Sequence, residues 1–178
     1  MEDVATATSG STGVSILQDS KIKINGQTVT FPCSLDDLRA VGMEFEEEYN
    51  EQISAQDYSF LYVEIGKNSR GSMSFYMYND TDKAKDSFDC QVGGFSYTCY
   101  SDAYKMDIDL EFQQGLKIGD PIEKAPQLYG EPNAKNIYED YAVYTWEDKE
   151  NFFNRCEVRS DEEGNVVGYE FTNFEIDW

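Results

Sequence analysis

The chain has 178 residues, enough for one domain of ordinary size or two small units sharing a core. Its 35 acidic and 14 basic residues leave a formal charge of −21, which repels phosphate backbones and argues against nucleic acid as a partner. No histidine is present, so Ser-His-Asp and Cys-His catalysis and histidine-ligated zinc are excluded.

Hydrophobic residues make up 40 % of the chain and aromatics 15 %, sufficient to bury a core. No apolar run approaches the roughly 20 residues of a membrane helix. Residues 1–20, MEDVATATSGSTGVSILQDS, are small and polar without a sustained period and read as a flexible linker. They lack the basic-then-apolar pattern of an export signal. Such a linker follows the processed end of secreted or lipid-anchored bacterial proteins. The expectation is therefore an extracellular, cell-surface-anchored chain whose signal and lipid-anchor segment stood upstream.

The structured part opens with KIKINGQTVTFPCSLDD (21–37). Asn25-Gly26 suits a type I′ turn, because both residues tolerate positive φ. That turn sets Ile22 opposite Val29 and leaves Lys21, Lys23, Thr28 and Thr30 on the other face. Ser34 and Asp37 form a capping-box pair opening a short helix through Leu35, Leu38 and Val41, which Gly42 ends. Strand-like runs follow at 58–65, 72–78 and 88–100, with KNSRG as the first hairpin loop. In GLKIGDPIEKAPQLYGEPN, Asp120 is the expected N-cap, Pro121 the first helical residue, Glu123 the capping partner and Gly130 the terminator. Pro126 is expected to kink or shorten that helix. Three more strands are read at 141–148, 152–160 and 165–176, with SDEEGN as a hairpin loop.

Helix followed by three strands thus occurs twice. VGGFSY (92–97) aligns with VVGYEF (166–171), placing Gly94 on Gly168, Phe95 on Tyr169 and Tyr97 on Phe171. The expected fold is α+β, with two tandem repeats, each a short helical segment on an antiparallel sheet of three to four strands. The first repeat would span 21–105 and the second 106–178.

Cys33, Cys90, Cys99 and Cys156 form no C-x-x-C pair. Three full disulfide pairings remain open beside the reading of buried free thiols. Glu44, Glu46, Glu47, Glu48 and Glu51 read as a solvated loop or helix end rather than a glycosidase pair, which would need a cleft and a raised pKa. Asp80, Asp82 and Asp86 lack the Gly and Glu positions of a calcium loop and read as a charged hairpin tip. Asp102, Asp107, Asp109 and Glu111 fall in an expected linker between repeats. No cofactor and no metal are expected.

The hairpin with Asn-Gly, then FPCSLDDLRAVGMEF, then CQVGGFSY, then Ile118-Gly119-Asp120 with Tyr129-Gly130-Glu131-Pro132, then YTWED, resembles a family of secreted lipoproteins of Gram-positive bacteria, mostly of unknown function. That family carries a GIxIG-(S/D)-x-x-x-x-(V/A)-x-x-x-YG-x-P stretch before a short antiparallel sheet. Its helix-then-sheet unit resembles the repeats of β-lactamase-inhibitor-protein-like folds and of SmpA/OmlA-type lipoproteins. The resemblance implies protein binding through an open sheet face and supplies no catalytic residue. The expected function is a non-enzymatic, extracellular protein-binding module. Tyr76, Tyr78, Tyr144 and Trp146 are the expected binding rings, since large rigid rings bury area at low entropy cost, with Glu46 and Glu47 as the charged rim. The alternatives are an acidic inhibitor or immunity-type protein for a basic enzyme, a glycan binder, and a carboxylate-dependent hydrolase.

Overall fold

The computed structural model describes residues 15–63, 71–100 and 108–176. The Asn-Gly turn joins β1 (Lys21–Ile24) to β2 (Gln27–Thr30), with Ile22 opposite Val29 as the turn requires. α1 (Leu35–Ala40) is closed at both ends by local chemistry. The Ser34 hydroxyl accepts from the Asp37 amide, and the Asp37 carboxylate accepts from the Ser34 amide. At its far end Gly42 takes φ +92°, and the amides of Gly42 and Met43 return to the carbonyls of Arg39 and Leu38, a Schellman ending.

The remaining elements are β3 (Gln52–Ile53), β4 (Asp57–Val63), β5 (Gly71–Asn79), β6 (Lys85–Asp86), β7 (Gln91–Cys99), β8 (Leu110–Glu111), α2 (Lys124–Tyr129), β9 (Ala134–Ile137), β10 (Ala142–Glu147), β11 (Asn154–Ser160) and β12 (Val166–Asn173). The fold is sheet-rich with few short helices, which supports α+β at the level of class. The strands make three sheets. One has seven strands in the order β4-β5-β7-β12-β11-β10-β9, one has three in the order β2-β1-β8, and β3 pairs with β6.

This arrangement departs from the expected pair of separate sheets. β7 and β12 pair antiparallel, fusing the first three large strands to the last four in one sheet. β8, from the second half of the sequence, adds to the first hairpin, so both halves contribute to both larger sheets. The expected linker also ends early, because Ile16 is buried in the core at 1 % exposure. Residues 1–14, the KNSRG loop up to Arg70 and residues 101–107 lie outside the described residues.

α2 begins later than the caps suggest. The Asp120 carboxylate accepts from the Lys117 amide and the Lys124 ammonium, and so closes the preceding turn. Pro126 is the third helical residue, where an amide has no partner within the helix, so its missing N–H costs nothing and the helix is not kinked. Gly130, at φ +82°, ends it as expected.

The core lies between one face of the large sheet and a layer made of α1, the hairpin sheet and α2. At its centre Phe31 stacks on Phe95, and Phe112 lies flat on Tyr169 with ring centroids 4.1 Å apart. Each such buried side chain contributes about 1.5–3 kcal/mol relative to exposure.

Candidate functional site

Strand register sorts the large sheet's side chains into two faces. One row across the inner face runs Trp146–Cys156–Phe171–Phe95–Phe75–Leu61, and it is apolar throughout. The neighbouring outward row runs Thr145–Glu157–Glu170–Ser96–Ser74–Tyr62. The inner face is the core. The central outer face is half-exposed at Ser74, Ser96, Thr98, Glu157 and Glu170 and open at Tyr62.

These faces divide the four rings singled out from the sequence. Trp146 and Tyr144 point inward and are 4 % and 3 % exposed. Trp146 meets Tyr129 of α2 edge to face, and its indole N–H donates to the Gly130 carbonyl at 3.0 Å. Tyr144 donates to the Glu123 carboxylate. Burial, then that hydrogen bond, pushes its pKa up to about 12. Both rings belong to the core, so the expectation that they face a partner is corrected. Tyr76 and Tyr78 lie on the outer face, where Phe174 folds back over them. Tyr78 stacks on Phe174 at 4.8 Å and is buried with it, while Tyr76 is half-buried. Only Tyr76 of the four borders open surface.

The outer face also holds what the sequence did not single out. Glu157 and Glu170 sit directly opposite each other on β11 and β12, with the Arg155 and Arg159 guanidinium groups on Glu157. Burial first, then the Glu157 charge, raises the Glu170 carboxyl above the usual range. The Tyr76 hydroxyl and both arginines work against that rise. Opposed strand positions hold the two Cβ atoms roughly 5 Å apart, so the side chains are direct neighbours on the outer face. The hollow beside them, lined by Ser96, Thr98, Glu157, Arg159, Gly168 and Glu170, measures about 30 Å³. The hollow itself holds one or two waters.

A larger hollow lies at the rim. Glu48, Tyr49 and Glu51, from the stretch around the short 3₁₀ turn Glu47–Tyr49, face Ser59, Phe60 and Tyr62 of β4 across a space of about 320 Å³. Glu46 and Glu47 are exposed beside it, so the expected charged rim adjoins the aromatic side of the outer face. Phe60 packs on Tyr76 at 4.7 Å, joining this rim to the sheet surface. Rings at every second position, Tyr58, Phe60 and Tyr62, were the available signal for Phe60 and Tyr62.

Other sequence candidates resolve simply. The hairpin tip after β5 is organised by Asn79, whose amide donates to the carbonyls of Ile53, Ser54 and Lys83. Among the described residues no three acidic or cysteine side chains stand close enough to share a metal ion. Asp102 and Asp107 lie outside the described residues. All four cysteines are buried and none is in a disulfide. Among the described residues no helix is long and apolar enough to cross a membrane. No family model, no curated protein and no solved structure matches the chain.

Proposed function

We propose that this protein is a non-enzymatic binding module that recognises another protein through the outer face of its seven-stranded sheet. The observation that carries this reading is the contrast between the two faces. Side chains of the inner row are packed under two helices and a hairpin, while the outer row offers a strip of serines between charged groups and aromatic rings. Small central residues flanked by rings suit insertion of a projecting element of a partner, with the rings supplying most of the buried apolar area. The hollow at Glu157 and Glu170 is water-sized, which favours binding over hydrolysis in this reading.

The reading includes the finer architecture and setting. The two halves are copies of one helix-plus-sheet unit joined through β7 and β12, and the protein is a surface-anchored extracellular lipoprotein of the kind its motifs resemble. Inhibition of a basic enzyme is the second reading, favoured by the −21 charge.

The test is cross-linking capture by the immobilised full chain from surface and secreted proteins of its host, at low and high salt. A partner held by the wild type and by Gln27→Arg, on the far hairpin, but lost with Ser96→Arg or Ser74→Arg supports the outer face. Capture indifferent to both serines overturns it. Loss of the partner at high salt with the wild type selects the acidic-inhibitor reading.

A further inference from the structure

The two edges of the large sheet are built differently. β9 ends the sheet with four residues, AKNI, and carries Lys135, the sort of edge that discourages pairing with another chain. β4 ends it with seven residues, DYSFLYV, containing neither lysine nor proline. Among the described residues no strand pairs with its outer side. The Asp57 carboxylate accepts from the Tyr58 amide at 2.9 Å, so that amide is turned away from β5. By the two-residue alternation of a strand, the amides and carbonyls of Phe60 and Tyr62 also point to the free edge.

The 320 Å³ hollow opens along this same edge. Its walls are three rings, Tyr49, Phe60 and Tyr62, two carboxylates, Glu48 and Glu51, and Ser59, whose hydroxyl donates to one Glu51 oxygen and leaves the other for a ligand. No basic residue occurs in the sequence between Arg39 and Lys67. Rings and carboxylates around one hollow make a site for an ammonium or guanidinium group, held by cation–π attraction and by charge-assisted hydrogen bonds.

We infer that the free edge of β4 takes an extended segment of a partner protein as an added strand, with a lysine or arginine of that segment seated between Glu48, Glu51 and the three rings. Backbone pairing with Phe60 and Tyr62 fixes the register, and the pocket reads one side chain of the incoming strand. The alternate side chains of that strand continue the outer face beyond Tyr62, so the edge and the face form one docking surface. This inference rests on reading the chain as a protein-binding module.

The test uses the isotope-labelled full chain and a short blocked peptide in which lysine alternates with valine, followed by amide NMR. The expected shifts fall on β4 and on Glu48–Glu51. Glu48→Gln combined with Glu51→Gln, both exposed and so compatible with folding, weakens binding about tenfold or more, the scale of lost charge-assisted contacts. Ile137→Ala, exposed on β9 at the opposite edge of the sheet, leaves the affinity within about twofold, as expected for a site that it does not touch. A peptide with glutamate in place of lysine fails to bind, and so does one with proline in place of valine, which lacks the amides needed for pairing. Absence of binding by the lysine peptide, shifts centred elsewhere, or affinity unchanged in the double glutamine variant overturns the inference. If the peptide fails while a captured partner still depends on Ser96, the edge site alone falls. If the peptide binds β4 while capture ignores Ser96, the outer-face reading falls instead.

Discussion

Replacing Trp146 by alanine tests the division of the large sheet into a buried and an open face. The indole is 4 % exposed, packs edge to face on Tyr129 at 5.4 Å and donates to the Gly130 carbonyl that terminates α2. Truncating a buried tryptophan costs about 3–5 kcal/mol, through lost transfer energy and the cavity left behind. About 1 kcal/mol of that is the hydrogen bond. In a chain of this size each kcal/mol moves Tm by about 2–4 °C, so W146A should melt about 6–20 °C below wild type. Far-UV circular dichroism, by heat and by urea, reads the change. Trp146→Phe keeps most of the packing and should lose about 1–2 kcal/mol. Tyr62→Ala, at a residue 65 % exposed, should stay within about 0.5 kcal/mol of wild type. A W146A protein as stable as Y62A would mean that the face carrying the indole is not the core, and the outer-face reading would fall with it.

Glu170→Gln probes the carboxyl pair. The Glu170 pKa is raised in the fold, first by burial and then by the Glu157 charge, so the folded chain holds a proton there that the unfolded chain has released. That contribution is complete below the usual carboxylate pKa and is lost as pH rises through the folded value, so the urea midpoint of wild type relative to E170Q should fall from about pH 4 upward. A difference between the two that does not vary with pH refutes the assignment. The two glycines aligned in the sequence should respond to alanine to very different degrees. A Cβ on Gly94 would stand 2.1 Å from the Phe171 carbonyl oxygen, whereas one on Gly168 meets Arg159 Cβ at 3.3 Å. Gly94→Ala should cost more than about 3 kcal/mol or prevent folding, and Gly168→Ala about 1 kcal/mol or less, both read by urea denaturation. Equal costs would count against the β7–β12 packing. The four cysteines should be silent to a thiol-specific disulfide reagent until the chain unfolds, since all are buried and burial pushes Cys33 and Cys156 up to about 12. Rapid labelling of the native chain would refute that.

What the sequence made legible was what is decided locally. The Asn-Gly turn, the Ser34–Asp37 box and the Gly42 ending depend on residues within a few positions of one another, and each formed as read. Six strands were placed to within a few residues by alternation. Which side of a strand faces the core was harder. In β10, Ala142, Tyr144 and Trp146 alternate with Val143 and Thr145, so both sides carry apolar groups and only the position of α2 decides between them. In β5 the two sides, Met73-Phe75-Met77 and Tyr76-Tyr78, are again both apolar, because Phe174 returns from the far end of the chain to cover the tyrosines. β9 has a lysine, an asparagine and no alternation, and it becomes a strand only because β10 offers an edge. Pro126 kinks nothing, but a proline fits only the first turn of a helix, so α2 is shortened and starts three residues later than its apparent cap signals.

The alignment of 92–97 with 166–171 sets Ser96 against Glu170, and these two residues pair directly across β7 and β12. On the proposed duplication, a two-fold axis runs through that pair. It exchanges Phe95 with Tyr169 and Tyr97 with Phe171, so the Phe95–Phe171 and Tyr97–Tyr169 pairs become one contact seen twice. The same axis relates Ser74 to Glu157 and Tyr62 to Thr145 along the outer row. Inner-face positions keep one character in both halves, with Leu61, Phe75 and Phe95 answering Tyr144, Val158 and Tyr169. Outer-row positions do not, since Tyr-Ser-Ser answers Thr-Glu-Glu. Packing holds the inner row to apolar residues in each half, because a polar group there would lose its water without a partner. The outer row is mostly half-exposed and carries a weaker demand, so on the proposed duplication it is free to differ between a small-and-aromatic half and a charged half. A docking surface with a defined orientation needs that asymmetry, and the unguarded edge at β4 lies on its aromatic side.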